Sequence, residues 1–164
     1  MAIDEKVVGF VLAESIVCER NIPERSTTSV DGYAVRCEYT FESSPGPQLT
    51  PAAATDASGI YTVVTEYPTS PLPAGSIYRI NTGAPLPPGA DAIIMVEDTV
   101  VVSRDDSSEE TEVELLAQVE AGENMRGPGT DVREGDQVLD AGDVVSAVGG
   151  ELGTLAFVGR RSVR

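Results

Sequence analysis

The residues able to do chemistry in this sequence sit on turns beside apolar runs. Asp31 lies in SVDGYAVR, Ser29 to Arg36, and Thr82 in RINTGAPLPPGADAIIMVEDT, Arg79 to Thr99. A carboxylate on a tight turn can accept a metal ion or hold a proton. With Gly32 behind it, Asp31 can equally close an Asx-turn on its own backbone. Thr82 stands between a strand and a Gly-containing turn. Its hydroxyl and the N–H groups of Gly83 and Ala84 can bind a phosphate oxygen, or the hydroxyl can merely cap the turn. No Gly-Lys-Ser/Thr follows, so this is not a nucleotide-type phosphate loop. Asp131, in GPGTDVREGDQVLDAGD (Gly127 to Asp143), reads by itself as an ordinary loop acid. Arg126, Arg36 and Arg133 are the basic candidates for holding an anion, ranked below the turn residues because surface Arg mostly just meets solvent. Glu97 and Asp98 follow an apolar run and suit either the outer shell of a Mg²⁺ ion or a solvated strand end.

There is no His in the chain, which removes imidazole catalysis and imidazole metal ligation. Mg²⁺ takes one or two carboxylates plus substrate phosphate oxygens, a pattern that an Asp-bearing site can serve. The two Cys, Cys18 and Cys37, do not form a metal-ligand spacing. Their apolar, strand-like settings predict buried thiols, and a disulfide is not readable from sequence. The net charge is −16, from 27 acidic and 11 basic residues. Nucleic acid and anionic membrane surfaces are disfavoured as partners, since both need a Lys/Arg face. A phosphorylated substrate is not excluded: two unit charges about 10 Å apart in water interact by only ~0.4 kcal/mol, so a local site can overcome the global field. No apolar run approaches a membrane span and the first residues lack a basic signal-peptide start, so the expected location is cytoplasmic.

The elements that must position these side chains are mostly strands. The chain has 164 residues, enough for one domain or two small ones. With 11 Pro, 16 Gly, 3 Phe, 5 Tyr and no Trp, it predicts a β-rich fold of short strands around a Val, Ile, Leu and Ala core. Val7 to Val17 reads as a strand from Val11 onward, and Asn21 to Ser29 as a connector. Tyr33 to Val35, Ile60 to Tyr67 and Ile77 to Ile80 read as strands. Ala92 to Val96 is apolar on both faces and is therefore placed centrally in a sheet. Phe41 to Ser58, without periodicity, reads as a long surface loop. RDDSSEE, Arg104 to Glu110, reads as a solvated hairpin tip between Thr99–Ser103 and Thr111–Val119, since EF-hand spacing and its Gly are missing. Asn124 to Asp131 reads as a loop and Gln137 to Leu139 as a short strand. Asp143 to Phe157 is the helix, with Ser146 as N-cap, Leu152, Leu155 and Ala156 on one face, and Gly159 ending it before a basic tail.

Taken together, the three quoted motifs occur in one order, and from about Val11 to about Val158 the chain resembles the N-terminal half of the molybdopterin molybdenumtransferases, the MoeA and gephyrin E-domain family. The resemblance implies a mainly β fold with one C-terminal helix, in which a β-rich subdomain (24–121) is inserted into an elongated α+β subdomain (1–23 plus 122–164) lacking the family's first helix. It implies that Asp31, Thr82 and Asp131 are active-site residues sharing one rim, that Asp31 and Asp131 hold the metal, and that Gly83, Ala84 and Arg126 contact the pterin substrate. The intact family enzyme acts in molybdenum cofactor biosynthesis. It releases AMP from adenylylated molybdopterin and inserts molybdate, assisted by Mg²⁺, as a homodimer whose third subdomain holds much of the site. The chain by itself is therefore expected to be a catalytically incompetent fragment. The competing expectation is a non-enzymatic dimerisation or scaffolding module of the gephyrin kind.

Overall fold

The computed structural model describes residues 2–40, 48–51 and 59–164. Its strands are β1 (Ile16–Val17), β2 (Thr27–Thr28), β3 (Gly32–Val35), β4 (Cys37–Thr40), β5 (Gln48–Pro51), β6 (Ile60–Val64), β7 (Ser76–Ile80), β8 (Ala92–Met95), β9 (Thr99–Arg104), β10 (Glu110–Leu115), β11 (Met125–Arg126) and β12 (Gln137–Leu139), followed by one helix, α1 (Glu151–Phe157). The chain divides into two compact units, Met1–Arg25 with Gly127–Arg164, and Ser26–Arg126.

The middle unit is built on a six-stranded sheet of order β8-β3-β7-β6-β10-β9. All pairings are antiparallel except β6 with β7. Both faces of β3 are buried. Tyr33 and Val35 join Ile77, Tyr61, Val63, Ala92, Ile94 and Val113 in one core. On the opposite face Ala34 packs with Ile80 and Ile93 under Ala84, Leu86 and Ala90 of the Pro-rich loop. Gly32 has a steric reason: a Cβ there would lie 2.0 Å from the Ile94 carbonyl oxygen. The sheet curls enough for the Tyr33 hydroxyl to donate to Glu110 Oε2 on β10.

β8 is an edge strand, not the central one its apolarity predicted. Both its faces are covered all the same, by the two cores just described. Its open edge is closed by a loop: Ile93 N–H donates to the Glu123 carbonyl and Asn124 Nδ2 to the Ile93 carbonyl. Burial on both faces therefore does not identify a strand with two neighbours. The hairpin β9–β10 turns at the acidic stretch as expected, and Asp105 Oδ1 accepts from the N–H groups of Ser107 and Glu109. The long loop expected over 41–58 is interrupted by β5, which pairs with β4 in register Cys37↔Pro51 to Thr40↔Gln48; 41–47 and 52–58 lie outside the described residues. The Asn21–Ser29 connector and the Asn124–Asp131 loop each contribute two residues to an additional antiparallel pair, β2 with β11.

The other unit packs Val7, Leu12, Ile16, Cys18, Val145, Leu155, Val158 and Val163 into its own core. The strand expected from Val11 shrinks to β1, paired with β12, and a single bridge between Val11 and Val144. Glu5–Val7 is a 3-10 turn instead. The helix is shorter than its apolar pattern suggested. Gly150 has φ 100°, a left-handed conformation that cannot continue a helix backwards. Ser146 Oγ caps the preceding turn, accepting from the N–H groups of Val148 and Gly149. Leu155 is buried but Ala156 is exposed. Gly159 does end the helix: its N–H donates to Ala156 and that of Arg160 to Leu155, the paired bonds of a Schellman stop. Arg160 then ties the tail to Glu14 and Glu19 at 3.1 and 2.7 Å. Both cysteines are free and buried. Burial, then the nearby Asp91 carboxylate, pushes the Cys37 thiol up to about 12, so it stays protonated and unreactive at neutral pH.

Candidate functional site

Asp31 and Thr82 are 51 residues apart in sequence and joined in space. Asp31 Oδ1 accepts from the Thr82 backbone N–H at 2.6 Å and from its hydroxyl at 2.8 Å. This decides between the local alternatives: Asp31 does not cap its own turn, and Thr82 does not cap its own. The link is set by the sheet. Gly32 opens β3 opposite Ile80, the last residue of β7, so the residue before one strand meets the turn after the other. The turn is pinned in place: Thr28 N–H donates to the Ala84 carbonyl and Leu86 N–H to Ser26. On the other side, the Asp31 carbonyl accepts the Val96 N–H, which places the 3-10 turn Val96–Asp98 next to it.

The same geometry corrects the phosphate cradle expected of Gly83 and Ala84. Gly83 N–H donates to Thr28 and Ala84 N–H to Asn81, at 2.9 and 3.0 Å. Both donors are satisfied by backbone carbonyls, one on β2 and one in the turn, and the Thr82 donors face Asp31. The exposed rim therefore presents acceptors: the Thr82 hydroxyl oxygen and Asp31 Oδ2, which takes no hydrogen bond among the described residues. Acceptors of this kind suit a cation or a hydrogen-bond donor rather than a bare anion.

Two donated hydrogen bonds, first from the Thr82 N–H and then from its hydroxyl, hold the Asp31 carboxyl below its ordinary 3.8, with Arg79 assisting. A depressed carboxylate favours the folded state fully above pH 3.8, and this contribution is lost as pH falls through the lower folded value. Thr82→Ala should therefore move the Asp31 pKa upward while leaving the backbone bond in place. A carbon-13 NMR titration of the Asp31 carboxyl reads this directly; an unmoved midpoint would refute the contribution of the hydroxyl.

Arg79 is the group that motif reading passed over. It follows Ile77 by two residues on β7 and so lies on the same, inward face. It sits opposite Tyr33 in register, with its guanidinium carbon 5.2 Å from the Tyr33 ring centroid. An Arg at an apolar position of an alternating strand was the available signal. Tyr33 is itself pushed up to about 12, by burial and then by Glu110.

Asp131 is exposed in the other unit, on a turn held by its own N–H to Ile22 and by Gly129 N–H to Pro23. Arg133, nearby in sequence, is exposed too, its N–H bonded to Asp136. Arg126 is exposed on β11, opposite Thr27. Arg36 Nη1 donates to the Leu72 carbonyl. Glu97 is exposed and Asp98 half-buried. Among the described residues no three Asp, Glu or Cys side chains gather into a ready-made metal cage.

Residues 1–159 match the family described as MoeA N-terminal region (domain I and II). The chain belongs to this family. It is 34% identical over 139 residues to molybdopterin molybdenumtransferase 2 of Mycobacterium tuberculosis, covering 84% of this chain and 31% of the relative. It is 35% identical over 143 residues to the molybdenum cofactor synthesis protein cinnamon of Drosophila melanogaster, covering 87% of this chain and 22% of that protein. A crystal structure of the molybdopterin biosynthesis MoeA protein from Pyrococcus horikoshii superposes with a TM-score of 0.77 at 28% identity, covering 99% of this chain and 38% of that one. The chain thus spans about a third or less of the length of these relatives. The mainly β fold with a single C-terminal helix is that of the MoeA N-terminal region, as the motifs implied. No helix among the described residues is long and apolar enough to cross a membrane.

Proposed function

We propose that this MoeA-family chain supplies part of the active site of a molybdopterin molybdenumtransferase, and that Asp31 and Thr82 form its working rim. The observation that carries the reading is the double hydrogen bond between them. It unites two of the three motifs on which the resemblance rests and keeps an exposed carboxylate ionised. The relatives' names support a role in molybdenum cofactor biosynthesis. The substrates in this reading are adenylylated molybdopterin and molybdate, and AMP is released.

The acceptor rim fits Mg²⁺. Asp31 Oδ2 would hold the ion, with the Thr82 oxygen beside it, and the open remainder of the shell suits waters and substrate phosphate oxygens. Bound there, the ion would supply positive charge to neutralise the phosphate being cleaved. Thr82 fixes the rotamer of Asp31 and keeps its proton off, so the carboxylate needs no deprotonation step. Asp131 is proposed as a further carboxylate for the same reaction, and Arg126 as a contact for the anionic substrate. Gly83 and Ala84 shape the turn.

In this reading most of the preorganised groups on which rate depends come from the part of the relatives' length that this chain does not span. The purified chain, given adenylylated molybdopterin, molybdate and Mg²⁺, should release AMP no faster than the uncatalysed control. A full-length enzyme carrying it as N-terminal region should turn over. Robust turnover by the chain alone would overturn the partial-site reading.

A further inference from the structure

A second candidate site lies at the same end of the six-stranded sheet, inside the curl. Val63, Val64 and Thr65 at the end of β6, Arg79 on β7 and the hairpin residues Arg104 and Glu110 line a cavity of about 350 Å³. That volume lies in the range of small-ligand pockets, roughly 300–1,000 Å³.

The polar groups in it are unequally satisfied. Glu110 uses one carboxylate oxygen on the Tyr33 hydroxyl and the other on Arg104, at 3.2 Å. Arg104 also donates to the Ser108 carbonyl at 2.8 Å. Glu109 lines the same cavity with an exposed side chain, so solvent screens it. Arg79 differs from all of these. Its Nη1 is buried and has no hydrogen-bond partner among the described residues, and its guanidinium makes no ion pair there. One face rests on the Tyr33 ring. The carboxylate of Asp31 is near enough to feel it without meeting it. The rest of Arg79 is half-buried, but a buried guanidinium nitrogen with an unmade hydrogen bond is costly unless something accepts from it. Thr65, an exposed residue, lines the same cavity, and its hydroxyl makes no hydrogen bond among the described residues either.

We propose that this cavity is an oxyanion site, in which Arg79 and Thr65 donate to a phosphate or phosphate-like group. A planar guanidinium matches two oxygens of such a group at once. Tyr33 fixes the plane of the fork from below. Glu110, spoken for by Tyr33 and Arg104, neither repels the ligand fully nor competes for Arg79. The apolar wall of Val63 and Val64 leaves room for a short carbon portion, so the group is either a free anion or the head of a small phosphomonoester. The ligand donors differ from the acceptor rim of Asp31 and Thr82, which Arg79 reaches only through its charge, and the site does not depend on the enzymatic reading.

The test is a nitrogen-15 NMR titration of the chain with inorganic phosphate, repeated with glycerol 3-phosphate. Saturable shifts are expected at Val64, Thr65, Arg79 and Arg104. Tighter binding of phosphate identifies the free anion as the ligand class, and tighter binding of the ester identifies a phosphomonoester. Arg79→Gln should weaken the better ligand about tenfold or more, and Thr65→Ala, at an exposed position, should weaken it by a smaller factor without loss of the fold. No saturable shift at these residues with either probe, or shifts confined to Thr82–Ala84, would overturn the site. So would binding that a folded Arg79→Gln leaves unchanged. Should Arg79→Gln not fold, the wild-type shifts and Thr65→Ala still decide.

Discussion

Gly32→Ala is expected to cost the middle unit about 3 kcal/mol or more, enough to unfold it in mild urea. The added methyl group would stand 2.0 Å from the Ile94 carbonyl oxygen and 2.9 Å from its carbon. Both are backbone atoms, so no side chain can swing aside. Nor can the strands part. β8 is tied on its far edge through Ile93 and Asn124, and β3 is paired with β7 on its other side. The methyl group would have to push apart two strands whose cores lie above and below them. Urea unfolding followed by circular dichroism measures the change, and stability equal to wild type would contradict the packing described. Function should fall with it, since Gly32 sits between Asp31 and Tyr33 and sets where both point.

Asp31→Ala is expected to leave the fold intact and to remove the proposed activity. Asp31 is exposed, its carboxylate is bonded only to Thr82 among the described residues, and its backbone carbonyl, which accepts from Val96, survives the substitution. Stability should change little, as is usual for an exposed side chain away from the core. In a full-length enzyme carrying this chain, kcat for AMP release should fall on the order of a hundredfold or more, the usual cost of losing a preorganised catalytic charge. Wild-type kcat in a folded Asp31→Ala enzyme would remove Asp31 from the proposed chemistry. The two substitutions are complementary. Gly32 reports on whether the strands are as close as described, and Asp31 on what that closeness positions.

The sequence and the structure agree where local pattern decides and part where long-range partners decide. β7, the acidic hairpin tip and the buried thiols follow from alternation, turn chemistry and apolar setting. The length of α1 was overestimated because apolar spacing continues across Gly149 and Gly150, while backbone conformation does not. The central placement of β8 failed because a loop, rather than a strand, satisfies its outer edge. The pairing of β4 with β5 was hidden by Pro and Ser composition. At the site, the motifs single out Asp31 and Thr82 as candidates, but their bond is not legible there, since it joins positions 51 residues apart. The loss of Gly83 and Ala84 as anion donors has the same origin: their acceptor partners, Thr28 and Asn81, are fixed by how the turn docks. Arg79 lay in plain view within a quoted stretch, and only the curl of the sheet shows what surrounds it.

The central claim is that Asp31 and Thr82 act as one unit, and a double-mutant cycle on AMP release tests it most directly. Asp31→Ala, Thr82→Val and the double variant would be compared with wild type in the full-length enzyme. Thr82→Val should lower kcat by about ten- to a hundredfold through Asp31. The double variant should then be no slower than Asp31→Ala alone, because the hydroxyl has nothing left to position. Losses that simply multiply, or a Thr82→Val enzyme as fast as wild type, would show that the two residues work independently and would contradict the account.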